Sequence, residues 1–210
     1  MQAVKKQPKG DRYYNDTAFR YERKRMRQDW WHVEQREMRS LLDTLPTELS
    51  VVDVPFGTGR FVPFYAELGY KIAGLDVSYD MLAAAKQALG EELYDQCTCV
   101  TGDAAKLPYA DEQFNLIVST RFLRDIVLFG TAKTMLAEMA RVTSRYAIIQ
   151  LGEDPNGHRT PDDDEVMGSH MSRDAVDALL LANGLHAIKR RHVKDMDDGG
   201  EIYHVLCEKA

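Results

Sequence analysis

The chain has 210 residues, 44% of them hydrophobic and 29% charged, with a net charge of −6. That suffices for one domain with a well-buried core and is short for two. No stretch approaches the roughly 20 apolar residues of a membrane-spanning helix, and the opening MQAVKKQPKGDRYY is basic without a following apolar run, which argues against a secretory signal.

Residues 1–40 hold eleven Lys or Arg against six Asp or Glu. The mixed signs at helical spacing read as a solvated helix face, with a surface for nucleic acid or a phosphorylated ligand as the alternative. Phe19, Met26, Trp30, Val33, Met38, Leu41, Leu42 and Leu45 recur at steps of about three and four. This periodicity predicts a helix over 17–45, closed by Pro46. Residues 1–46 are thus expected to form an arm and helix beside a main domain over 47–210.

The pattern then changes. SVVDV, short and β-branched, runs into Pro55, Gly57 and Gly59 before a helical stretch at 61–68, giving strand, tight turn and helix. YKIAGLDV leads into the helix SYDMLAAAKQALGEEL, QCTCVTGDA follows as a strand, FNLIVST precedes the helix TAKTMLAEMARVT, and RYAIIQL is the next strand. SRDAVDALLLANG has a serine cap and a terminal glycine. HAIKRRHV and EIYHVLCE flank a turn and read as an antiparallel hairpin. The fold class is therefore α/β, a doubly wound, mostly parallel seven-stranded sheet with a C-terminal antiparallel hairpin.

Cys97, Cys99 and Cys207 cannot all pair with one another. They are expected to be buried strand thiols, in keeping with a cytoplasmic protein, and no metal site is expected.

In such a sheet, ligands sit beyond the carboxyl ends of the strands. The apolar runs end in Asp53 with Phe56-Gly57-Thr58-Gly59, then Asp76, then Asp103, then Ser119-Thr120-Arg121. Glycines at 57 and 59 permit close approach of a ligand to main-chain N–H groups. Asp76 can accept from both hydroxyls of a ribose. Asp103, followed by Ala104, can accept from an exocyclic adenine amine, so the set describes an adenosine-shaped pocket.

Over roughly 49–207 the chain resembles the class I S-adenosylmethionine-dependent methyltransferases. The resemblance rests on VVDVPFGTGR, GLDVSYDMLAAAKQ, TGDAAKLPYADEQFNLIVST and MLAEMARVT. It implies S-adenosylmethionine as cofactor, with S-adenosylhomocysteine as product. Asp53, Gly57 and Gly59 would hold its methionine portion, Asp76 the ribose, Val77 and Met81 the adenosine, and Asp103 and Ala104 the adenine. Thr120 and Arg121 would line the wall beside the methyl. Departures from the family pattern are Pro55 in place of a first glycine, Asn115 for the usual aspartate after Phe114, and Thr143-Ser144-Arg145 in place of a Pro-Gly-Gly turn. NAD binding is the competing reading, but position 62 lacks the glycine that GxGxxG requires.

On the acceptor side, Asp125, His158 and His170 are candidate bases, or exposed loop residues and an ion-pair partner. Arg121 and Arg124 would anchor an anionic acceptor, or hold Asp125 or a loop carboxylate. Tyr13, Tyr14, Tyr21 and the Trp30-Trp31 pair are expected to belong partly to a lid, with helix packing the alternative for Trp30. No NPPY-like run is present, which argues against duplex DNA; a small or sugar-like acceptor fits best, and a homodimer is left open. Aminopropyl or aminocarboxypropyl transfer and a non-enzymatic scaffold with an RNA or protein partner are the alternatives.

Overall fold

The computed structural model describes residues 20, 25–123, 129–155, 171–197 and 199–210. Its first long helix is α1 (Asp29–Leu42). Then follow β1 (Ser50–Asp53), α2 (Val62–Glu67), β2 (Lys71–Asp76), α3 (Tyr79–Leu89), the single turn α4 (Glu91–Tyr94) and β3 (Cys97–Thr101). The second half comprises β4 (Phe114–Ser119), α5 (Phe129–Val142), β5 (Thr143–Glu153), α6 (Arg173–Leu181), β6 (Leu185–Asp195) and β7 (Glu201–Lys209).

The strands form one sheet in the order β3-β2-β1-β4-β5-β7-β6. The first five pair in parallel, and β7 runs antiparallel between β5 and β6. This is the expected doubly wound sheet with its C-terminal hairpin. Strand order reverses between β1 and β4, and in open α/β sheets ligands bind outside the carboxyl ends of the strands at such a switch point.

Alternation within the strands supplies two cores, because successive side chains point to opposite faces. Val51, Leu116, Val118, Ile148 and Leu206 meet Met38, Leu41 and Leu42 of α1 with Tyr65 and Leu82. Val52, Ile117, Ile149 and Val205 meet Leu136, Met139, Val176 and Leu180 on the opposite face. Ser78 caps α3 by accepting from Met81 N–H (3.3 Å), and Ser172 caps α6 by accepting from Ala175 N–H (3.2 Å).

Some expectations need correction. Among the described residues, the helix expected over 17–45 is broken at Gln28, whose backbone is extended, and continues as α1 at Asp29–Leu42. A three-and-four periodicity is satisfied equally by one helix or by two segments meeting at a break. The helix expected over 78–93 divides at Gly90, whose φ of +79° ends α3. Cys97 and Cys99 are half-buried, because β3 is an edge strand, whereas Cys207 is buried; all three are free thiols. Asn115 is structural: its Oδ1 accepts from Ser50 N–H and Oγ, both at 3.0 Å, which ties β4 to the start of β1. In place of a glycine turn, Thr143 and Ser144 open β5, with Ser144 Oγ donating to Phe114 O (3.0 Å).

Candidate functional site

The glycine loop leaves β1 at Asp53 and is laced to both neighbouring strands. Val54 N–H donates to Val118 O (2.9 Å) and Phe56 N–H to Leu75 O (2.8 Å). Gly57 and Gly59 have φ of +57° and +67°, the left-handed region that side chains disfavour. A Cβ on Gly59 would lie 2.7 Å from Leu89 Cδ1 and 3.0 Å from the Phe56 ring. The Phe56 ring itself occupies the space above Gly74 of β2, where a Cβ would come within 2.1 Å of it.

Asp76, buried at the end of β2, accepts from Gly57 N–H (2.8 Å) and Ser78 N–H (2.9 Å). Burial pushes its carboxyl upward, opposed by those two N–H groups. Asp53 is buried and accepts from Tyr65 Oη at 3.1 Å. Burial raises it to about 7, against the Tyr65 hydrogen bond and the charge of Arg60. Met81 and Ala104 are buried, Val77 is exposed beyond the end of β2, and Asp103 is exposed with Oδ1 accepting from Ala105 N–H (2.8 Å).

Next to the loop lies a buried polar seam. Glu34 of α1 is fully buried, and its carboxylate accepts from Arg60 Nη1 (2.6 Å), Arg121 Nε (2.8 Å), Arg121 Nη2 and Gln150 Nε2 (2.6 Å). Burial alone would raise Glu34, but Arg60 and Arg121 outweigh it and hold the carboxyl well below the usual range. Arg60 Nη2 also reaches Thr120 Oγ1 at 3.4 Å. Arg121 sits at φ +54°, with its N–H on Gln150 Oε1 (2.9 Å) and its guanidinium 4.0 Å from the Trp30 ring centroid. His204 of β7 completes the seam: it is fully buried, neither ring nitrogen meets a hydrogen-bond partner within bonding geometry among the described residues, and burial lowers it to about 4.

The structure thus brings Asp53, Gly57, Gly59, Asp76, Val77, Met81, Asp103, Ala104, Thr120 and Arg121 to the carboxyl edge of β1 to β4. Arg121, expected to anchor an anionic acceptor or to hold Asp125 or a loop carboxylate, holds the Glu34 carboxylate of α1. Trp30 is half-buried over that guanidinium. Tyr13, Tyr14, Tyr21, Arg124, Asp125, His158 and His170 lie outside the described residues. No group of three or more potential metal ligands is gathered, and no helix is long and apolar enough to cross a membrane, among the described residues.

Residues 52–149, from the glycine loop through most of β5, match the family described as a methyltransferase domain. Over these residues the chain is similar to S-adenosylmethionine-dependent methyltransferases, in keeping with the motifs in its sequence. Among curated relatives of this family, the demethylmenaquinone methyltransferase of Renibacterium salmoninarum is 36% identical over 93 residues, or 44% of this chain. The match spans 36% of that protein's length. The fold is shared with magnesium protoporphyrin IX methyltransferase from Synechocystis PCC 6803 bound to S-adenosylhomocysteine, at TM-score 0.71 and 18% identity, covering 95% of this chain and 97% of that one. It is also shared with the Burkholderia thailandensis 1,6-didemethyltoxoflavin-N1-methyltransferase, at TM-score 0.72 and 14% identity, covering 100% and 93%.

The residues of this methyltransferase domain fit an adenosine-bearing cofactor. Two bonds to Asp76 leave lone pairs for ribose hydroxyls, since a carboxylate offers about four acceptor sites. The left-handed glycines clear the loop for a ligand, and a Cβ on Gly57 would already touch Met81 Cε at 3.7 Å.

Sequence reasoning missed Glu34, Arg60, Tyr65, Gln150 and His204. A signal existed for three of them. Glu34 falls on the stripe that continues through Met38, Leu41 and Leu42, so the helix face read as solvated carries a buried carboxylate. Gln150 and His204 interrupt the apolar runs of β5 and β7.

Proposed function

We propose that this chain transfers the methyl group of S-adenosylmethionine to an oxygen or nitrogen atom of a small organic acceptor seated among the turn after β4, the end of β5 and α1. The observation that carries this reading is the convergence of the glycine loop, Asp76, Asp103 and Thr120 at the carboxyl ends of four neighbouring strands. The bound cofactor supplies an electrophilic methyl on a sulfonium, so transfer is an in-line displacement. The protein's task is then to align the nucleophile and exclude water.

In this reading Asp53 and the N–H groups around Gly57 and Gly59 hold the methionine end, while Asp76 holds the ribose. Val77 and Met81 flank the adenosine, Asp103 and Ala104 meet the adenine, and Thr120 lines the wall near the methyl. Arg121 shapes the acceptor side while its guanidinium stays on Glu34. Residues 1–46 serve as the cover, to which Trp30, Tyr13, Tyr14 and Tyr21 contribute. Arg124 meets the acceptor, and Asp125, His158 or His170 supplies a base where the acceptor carries a proton.

The proteins similar to this chain are named for a demethylmenaquinone, a porphyrin and a toxoflavin precursor. These names support an acceptor panel headed by demethylmenaquinone, magnesium protoporphyrin IX and 1,6-didemethyltoxoflavin. Incubation with S-adenosylmethionine and each acceptor, with both nucleoside products separated by chromatography, tests the proposal. Acceptor-dependent S-adenosylhomocysteine is expected. Acceptor-dependent methylthioadenosine would instead mean that the aminocarboxypropyl group moves, the same product from decarboxylated S-adenosylmethionine would mean aminopropyl transfer, and cofactor binding without turnover of any acceptor would favour a scaffold.

A further inference from the structure

Glu34 occupies a position where a hydrophobic residue would hold α1 to the sheet at lower cost, because a buried carboxylate must recover its desolvation penalty from well-placed partners. Its partners come from three separate stretches of chain. Arg60 directly follows Gly59 of the cofactor loop, Arg121 stands in the turn after β4, and Gln150 belongs to β5. Arg60 also reaches across to Thr120, and Arg121 keeps a left-handed backbone that few non-glycine residues adopt. Charge-assisted bonds are directional, so this bridge fixes positions as well as burying surface.

From this juxtaposition we infer that Glu34 is a positioning residue, whose carboxylate, through Arg60 and Arg121, sets the spacing between the cofactor loop and the turn after β4 and thereby couples docking of α1 to cofactor binding. The inference rests on the methyltransferase reading above and goes beyond it. It assigns to the N-terminal helix a part in forming the cofactor site, distinct from that of a cover. His204, Gln150 and Trp30 flank the bridge, and Asp53 lies within electrostatic reach of Arg60.

The test is calorimetric titration of S-adenosylhomocysteine into wild type, Glu34→Gln, Arg60→Lys and the double variant, below the melting temperature of each, with folding checked by near-ultraviolet circular dichroism. Glu34→Gln is expected to weaken binding about tenfold or more, the scale set by one hydrogen bond to a charged group. Arg60→Lys keeps the charge but loses the guanidinium fork, and is expected to weaken binding comparably. The double variant should lose less than the product of the two effects, because both break one bridge. A folded Glu34→Gln that binds within about twofold of wild type would overturn the positioning role, leaving Glu34 as packing that moves only the melting temperature. If Glu34→Gln does not fold, Arg60→Lys decides by the same criterion. Wild type that fails to bind at all would overturn the methyltransferase reading, and this inference with it.

Discussion

Asp53 and Asp76 are both buried acids at strand ends, yet their surroundings prepare them differently. Asp76 accepts two main-chain N–H groups in addition to any ligand, so Asp76→Ala would unpin Gly57 and remove the proposed ribose contact together. Loss of a hydrogen bond to a charged group costs about 1.5–3 kcal/mol, so S-adenosylhomocysteine affinity measured by calorimetry should fall about tenfold to a hundredfold. Asp53, raised to about 7 from its ordinary 3.8, keeps its proton in the folded chain over a range where the unfolded chain has released it. Its contribution to stability is therefore lost as pH rises from about 4 to 7. His204 behaves in the opposite sense. Lowered to about 4 from 6.5, it makes the fold less stable as pH falls through that range. The two slopes oppose each other between about pH 4 and 6.5, each on the order of 1.4 kcal/mol per pH unit. Relative to wild type, Asp53→Asn should gain stability with rising pH in that window and His204→Phe should lose it, as read from denaturant unfolding at several pH values. Asp53 and Asp76 were legible in the sequence because each closes a short apolar run. The Glu34 seam was not, because its partners are up to 116 residues apart and no local pattern records such pairing.

At the scale of elements, the cofactor loop depends on a residue that carries no ligand-binding signature. Gly74 lies in the middle of β2, and the Phe56 ring fills the place of its missing side chain. Gly74→Ala would drive a methyl group into that ring and displace the loop segment just before Gly57. Overpacking of this kind costs about 1–3 kcal/mol, and weaker S-adenosylhomocysteine binding should accompany the lower melting temperature. Phe56→Leu in the same chain should recover part of both losses, whereas Phe56→Leu alone should leave a cavity and destabilise the fold. Element types were legible wherever a short apolar run gave way to apolar residues at 3.6-residue spacing, as from β2 to α3. Boundaries were less so. The break before Asp29 and the division at Gly90 leave the apolar spacing almost undisturbed, and β5 extends to Glu153 beyond its apolar stretch.

At the scale of the molecule, alternation of strands and helices predicted the parallel sheet, and the hairpin residues predicted its antiparallel close. Strand order turned that pattern into a site, since the reversal between β1 and β4 gathers at one edge residues spread from Asp53 to Arg121. The match of residues 52–149 to a methyltransferase domain agrees with this edge, while the acceptor side depends on loops whose partners the alternation of elements does not encode. The central claim is that the edge of β1 to β4 is an S-adenosylmethionine site. Titration of S-adenosylhomocysteine and, separately, NAD into the intact chain, followed by calorimetry, tests it most directly. One saturable site for S-adenosylhomocysteine, lost or severely weakened in Asp76→Ala, and no heat from NAD is the predicted result. Saturable binding of NAD with none of S-adenosylhomocysteine would contradict it.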